Sequence, residues 1–222
     1  MGSMIRLTAS DGHQFEAYRA DPDGEVRGGL VVIQEIFGVT DHIQRVTDGF
    51  AAEGFVAIAP AMFDRLEPGI RLDYSEIEKG RDTMLQLDQD HAVLDMQAAV
   101  DALGTEHKVV IGYCWGGAMA DLAACELDID AAVSYYGGRI TSWLDQKPGC
   151  PVIYHFGATD PMIPPEVVEQ IRGARPDGEF HVYEQAGHGF NCDDRDSYDA
   201  VASQQSEELV QAFLERHLAA GD

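Results

Sequence analysis

No apolar run in these 222 residues approaches the roughly 20 that a helix needs to cross a bilayer. The N-terminus lacks a basic region followed by an apolar one, so no secretory leader is expected and a cytoplasmic setting is. Positive charge is scarce: 15 Lys and Arg stand against 39 Asp and Glu, a formal charge of −24. A surface of that sign repels nucleic acid and anionic membranes, so neither is an expected partner. Cysteine is sparse as well. Cys114, Cys125, Cys150 and Cys192 are spaced by 11, 25 and 42 residues, which matches neither a zinc ribbon nor a Cys-x-x-Cys redox pair. All four are expected as thiols, Cys125 as a small residue buried in a helix, with no metal and no cofactor. No repeat, low-complexity tract or linker divides the chain. Residues 4–220 therefore read as one domain, and Met1-Gly2-Ser3 as a cloning remnant outside the fold.

What is present is an alternation of apolar runs and helical patterns, with 45% hydrophobic residues to cover a sheet on both faces. Ile5 to Ala9 and Gln14 to Arg19 read as a hairpin around Asp11-Gly12. Leu30 to Ile33, Phe55 to Ala59, Lys108 to Ile111, Ala131 to Tyr136, Pro151 to Phe156 and Glu179 to Glu184 read as further strands. Helical patterns span Asp41 to Glu53, Ser75 to Leu103 with one break, Trp115 to Glu126 and Ser197 to Leu218, and a helix is expected near Pro164-Pro165. Residues 61 to 74 read as an irregular loop. This order predicts an α/β fold of the α/β-hydrolase type. Its central sheet is mostly parallel, with antiparallel N-terminal edge strands and helices on both faces. In such sheets ligands bind beyond the carboxyl ends of the strands.

The stretch Val109-Val110-Ile111-Gly112-Tyr113-Cys114-Trp115-Gly116-Gly117 has the form of a nucleophile elbow, with cysteine where serine is more usual. The turn projects the side chain, and the helix N-terminus beneath it favours a thiolate. A thiolate nucleophile needs an acid for its leaving group, and His188, between two glycines directly after the last strand, is the expected one. Asp160, in a Gly-initiated loop at another strand end, is placed to hold the imidazole. The order Cys114, Asp160, His188 is nucleophile, acid, histidine. Glu35 ends a buried strand, where an unpaired carboxylate is costly unless it is functional. His155 and His181 fall inside strands and are expected to be structural.

Four separated segments, Gln34-Glu35-Ile36-Phe37-Gly38, Gly112-Tyr113-Cys114-Trp115-Gly116-Gly117, Gly157-Ala158-Thr159-Asp160 and Ala186-Gly187-His188-Gly189-Phe190, together with Tyr135-Tyr136-Gly137, resemble the dienelactone hydrolases, or carboxymethylenebutenolidases. The resemblance implies a cofactor-free cysteine hydrolase of lactones or activated esters that works through a thioester. In it Cys114 is the nucleophile, His188 the acid and base, and Asp160 its orienting partner. Glu35 takes the proton of the resting thiol, and Ile36 and Trp115 supply oxyanion N–H groups. Phe37, Arg81 and Tyr136 are the expected substrate-binding residues. Members of the family grip a substrate carboxylate with arginines, one shortly after the histidine, whereas here the nearest is Arg195, seven residues on. The expected partner is a small lactone or ester, and the protein a monomer or small homo-oligomer. Rival readings are a broader carboxylesterase on the same triad, a flavodoxin-like cysteine amidotransferase, and a ligand receptor on a retired hydrolase scaffold.

Overall fold

The first apolar–polar alternation folds as expected into an antiparallel hairpin, β1 (Ser3–Thr8) and β2 (Gln14–Ala20), turning at Gly12 with φ 88°. In this computed structural model, which describes residues 1–218, the chain forms two compact units, one spanning Met1–Val109 and one beginning at Val110. The last two residues of the expected 4–220 domain lie outside the described residues.

In the first unit the strand order is β1-β2-β4-β3, with β3 at Gly28–Ile33 and β4 at Phe55–Pro60. β2 pairs antiparallel with β4, and β4 pairs parallel with β3. Both β3 and β4 are buried along their whole length, which is why they read as unbroken apolar runs rather than alternating ones. Helix α1 (Asp41–Ala52) starts at Thr40, whose side chain accepts the Ile43 N–H, and packs on β2, β3 and β4. The expected break divides α2 (Ile77–Leu85) from α3 (Gln89–Leu103), where Asp88 caps α3 by accepting the His91 N–H. Gly2 and Ser3, set aside with Met1 as a cloning remnant, are held by the hairpin, while Met1 is fully exposed. Ser3 pairs with Arg19, and the Gly2 N–H reaches the Tyr18 hydroxyl at 2.9 Å and Asp48 at 2.8 Å. An edge strand recruits backbone, so its pairing does not depend on which side chains occupy those positions.

β5 (Lys108–Tyr113) leads into the second unit, where the order is β5-β6-β7-β8. β6 (Ala131–Tyr135), β7 (Val152–Gly157) and β8 (Glu179–Tyr183) pair in parallel. Helix α4 (Trp115–Glu126) packs on β6, α5 (Pro165–Ala174) follows the β7 loop, and α6 (Ala200–His217) covers β6 and β7. α6 starts three residues later than the pattern suggested, because Asp199 accepts the N–H groups of Val201 and Ala202 and fixes the first turn there. A 3-10 turn over Gly138–Trp143 had no counterpart in the sequence reading. Parallel strands joined by helices, with antiparallel strands confined to the N-terminal side, make this an α/β-hydrolase fold. Among the described residues no helix is long and apolar enough to cross a membrane.

Candidate active site

The elbow forms because two glycines let backbone pack on backbone. A Cβ on Gly112 would overlap the Gly116 carbonyl, and one on Gly117 would overlap the carbonyl of Tyr135. Between them Cys114 adopts φ 56° and ψ −117°, a conformation that few side chains tolerate. It is held there by its own N–H, which donates to the Tyr135 carbonyl at 3.0 Å, and by its carbonyl, which accepts the Gly117 N–H at 3.0 Å. The thiol sits at the N-terminus of α4, half-buried.

The loop after β7 carries Asp160 and the loop after β8 carries His188. Asp160 Oδ2 lies 2.7 Å from His188 Nδ1, and its Oδ1 accepts the Met162 N–H at 2.7 Å. His188 Nε2 lies 3.0 Å from Cys114 Sγ. An ionised carboxylate only accepts hydrogen bonds, so Nδ1 carries a proton and Nε2 is left facing the sulfur. Burial, the largest influence on the ring, disfavours its charge. The Cys114 sulfur and the hydrogen bond to Asp160 outweigh that penalty and push His188 up to about 10.

Neighbouring residues brace this arrangement. The Thr159 N–H and hydroxyl both donate to the Ala186 carbonyl, at 3.0 and 2.8 Å, tying the two loops together. Beyond His188, Phe190 is fully buried among Tyr135, Tyr136 and Tyr183. Asn191 donates to Ser203 on α6 at 2.9 Å. Tyr136, expected at the substrate, is also fully buried, with its ring centroid 5.1 Å from that of His188. Trp115 is the first residue of α4 and is buried. The sequence reading missed Thr159 and Met162 as partners, although both lie within two residues of Asp160.

In the first unit the segment after β3 is equally well held. Glu35, Ile36 and Phe37 are all buried. The Gln34 side chain accepts the Met62 N–H at 3.2 Å and donates to the Glu35 carbonyl at 3.3 Å, and the Phe37 carbonyl accepts the Leu72 N–H at 2.9 Å. The Phe37 ring meets Tyr74 edge-on at 4.8 Å. Arg81 is on α2 with its side chain 60% exposed, 3.9 Å from Asp82.

The other thiols stand apart in character. Burial, reinforced by nearby acids, pushes both Cys125 and Cys150 up to about 12, so they stay protonated thiols at neutral pH. Cys192 is fully buried. Among the described residues no group of three His, Cys, Asp or Glu could hold a metal ion.

Fold and geometry together define an α/β hydrolase with a cysteine at its elbow. The dienelactone hydrolase family model matches residues 15–218, so the chain belongs to that family and is a carboxylic ester hydrolase. It is 31% identical to the carboxymethylenebutenolidase of Pseudomonas putida, over 95% of this chain and 94% of the relative. The same figures hold for the carboxymethylenebutenolidase of Pseudomonas knackmussii. A crystal structure from Klebsiella pneumoniae, itself assigned to the dienelactone hydrolases, superposes with a TM-score of 0.81 at 28% identity, covering 96% of this chain and 99% of that one.

Proposed function

We propose that the protein hydrolyses lactones or activated esters of small molecules through a thioester on Cys114, with His188 as acid and base and Asp160 as its orienting partner. The observation that carries this is the His188 ring, spanning Asp160 at 2.7 Å and Cys114 at 3.0 Å. In the reaction the thiolate adds to the ester carbonyl and the carbonyl electrons move onto oxygen. Collapse expels the alkoxide or enolate, which takes its proton from His188 Nε2. Neutral His188 then removes a proton from water as the water attacks the thioester. The tetrahedral adduct then collapses to the free acid and expels the sulfur as a thiolate beside the imidazolium formed in that step. An enolate is a good leaving group, so a thiolate suffices as nucleophile.

From the family resemblance we assign to Glu35 the proton of the resting thiol, and to the N–H groups of Ile36 and Trp115 the developing oxyanion. Phe37 and Arg81 are assigned to the substrate side on the same ground; Tyr136, named with them from the sequence, is fully buried beside the His188 ring. The reaction needs no cofactor, and we read residues 4–220 as one catalytic domain working in the cytoplasm as a monomer or small homo-oligomer. The test is turnover of a dienelactone, a saturated lactone and p-nitrophenyl esters by the protein and by Cys114→Ala and His188→Ala. Both variants are expected to lose turnover with unchanged circular dichroism. Full activity in Cys114→Ala overturns the nucleophile assignment, and a clear preference for simple acyl esters replaces the lactone reading with a broader carboxylesterase.

A further inference from the structure

Tyr136 is, besides Cys114, the only non-glycine among the described residues with a positive φ, here 42°. A bulky aromatic in that region is a backbone outlier, held in place only when its surroundings over-determine it. The surroundings here do so. The Tyr136 N–H donates to the His155 carbonyl at 2.8 Å, extending the β6–β7 pairing by one residue. The carbonyl of the preceding residue, Tyr135, accepts the Cys114 N–H and is the atom against which Gly117 closes. On the other side, Gly137 is pressed against Ser134 Oγ and the Ala118 backbone. The chain therefore leaves β6 through a single residue that must turn sharply, and the turn points its side chain back toward the site.

What the turn delivers is a ring in a fully buried position, 5.1 Å from the His188 ring and inclined to it by 58°. Phe190 packs edge-on to the Tyr136 ring at 5.4 Å and 72°. His188 has polar partners at both nitrogens, but these two hydrogen bonds leave the imidazole free to rock about the line joining Asp160 to the sulfur. A flat wall restricts that rocking. We propose that Tyr136 is a positioning residue: its left-handed backbone presents the aromatic ring that fixes the plane of the His188 imidazole toward Cys114. This rests on the reading of His188 as the acid and base. The ring, not the hydroxyl, is the working part.

The experiment compares Tyr136→Phe, Tyr136→Leu and Tyr136→Gly in the full chain, by steady-state kinetics on one ester and by the pH dependence of Cys114 alkylation with iodoacetamide. Glycine suits the backbone but removes the ring, and leucine fills space without a flat face. The expected result is a loss of about 10- to 100-fold in kcat for Leu and Gly with little change in KM, together with a shifted alkylation profile. Phe is expected to recover most of the rate. If Gly does not fold, Leu carries the comparison.

The proposal is overturned by an equal loss in Phe, which would place the work in the hydroxyl. It is overturned too by a rise in KM alone, which would make Tyr136 a substrate contact, or by wild-type kcat and alkylation in Leu. Cys114→Ala and His188→Ala, measured beside them, keep the two readings separable. If these lack turnover while Tyr136→Leu behaves as wild type, the positioning role fails and the hydrolytic mechanism stands.

Discussion

The hydroxyl of Thr159 donates to the carbonyl of Ala186 at 2.8 Å, bracing the loop bearing Asp160 against the loop bearing His188. The same carbonyl takes the Thr159 N–H at 3.0 Å, so removing the hydroxyl leaves the acceptor paired but the joint looser. Thr159→Val is expected to cost about 1 kcal/mol of stability and several-fold in kcat, with Thr159→Ser close to the native protein. Urea denaturation and ester kinetics check both, and a Val variant with native kcat would show that the loops need no brace.

Glycine at the elbow is demanded by contact, and elsewhere it is not. Gly117→Ala places a methyl against the Tyr135 carbonyl, while Gly49, in α1, has nothing within 4 Å of the position a Cβ would take. Gly117→Ala is expected to destabilise by about 1–3 kcal/mol and to lose activity beyond that, because the displaced backbone carries Cys114. Gly49→Ala is expected to stabilise by up to about 1 kcal/mol, since alanine orders more easily in a helix. Thermal melts of the two variants should move in opposite directions.

The contrast between these positions also explains what was legible beforehand. Cys114, Asp160 and His188 could be picked from the sequence because each follows a strand, Cys114 and His188 between glycines and Asp160 in a loop that a glycine opens, and a strand end fixes direction as well as place. The parallel strands were legible as continuous apolar runs for the same local reason. Tyr136 was visible only as part of a motif, since nothing in a Tyr-Tyr-Gly string says that its backbone turns left-handed or that its ring faces a histidine. The 3-10 turn at Gly138–Trp143 has no 3.6-residue period to detect. Partnerships across 54 residues, such as Asp121 with Arg175, cannot be matched up from local pattern.

That pair does leave one clue, a lone carboxylate in the apolar helix Ala118-Met119-Ala120-Asp121-Leu122-Ala123. Asp121 is fully buried and receives Arg175 Nε and Nη2, each at 2.9 Å, the Tyr154 hydroxyl at 2.6 Å and Trp143 Nε1 at 2.9 Å. Arg175 Nη1 in turn donates to the Gln146 carbonyl at 2.9 Å, so the charges are matched and their polar atoms satisfied. Removing one partner strands the other charge out of water. Asp121→Ala is expected to cost about 3–5 kcal/mol, and a joint Asp121→Leu, Arg175→Met replacement distinctly less than the sum of the two single changes. A double-mutant cycle in urea measures the difference, and simple additivity would mean that the two residues stabilise independently.

His155 is expected to weaken the fold in acid. It is fully buried on β7, its Nδ1 2.8 Å from the Tyr183 hydroxyl, stacked on Tyr135 at 4.6 Å and near His181 at 5.5 Å. Burial, with a smaller contribution from His181, holds its pKa well below the ordinary 6.5. The sign follows from which state binds the proton. Above pH 6.5 both folded and unfolded chains carry a neutral ring. As the pH falls through that value the unfolded chain takes up a proton that the folded one refuses, so stability falls by up to about 1.4 kcal/mol per pH unit from this group alone. His155→Phe keeps an aromatic in the stack but cannot titrate. It is expected to lose about 1 kcal/mol at pH 7.5, where the Tyr183 partner is missed, and to close that gap between pH 6.5 and 5 as the native protein weakens. Urea midpoints of the two proteins across that range supply the measurement. Parallel curves would mean that the proton enters His155 without opening the fold, and that its buried aromatic surroundings are more accommodating than their packing implies.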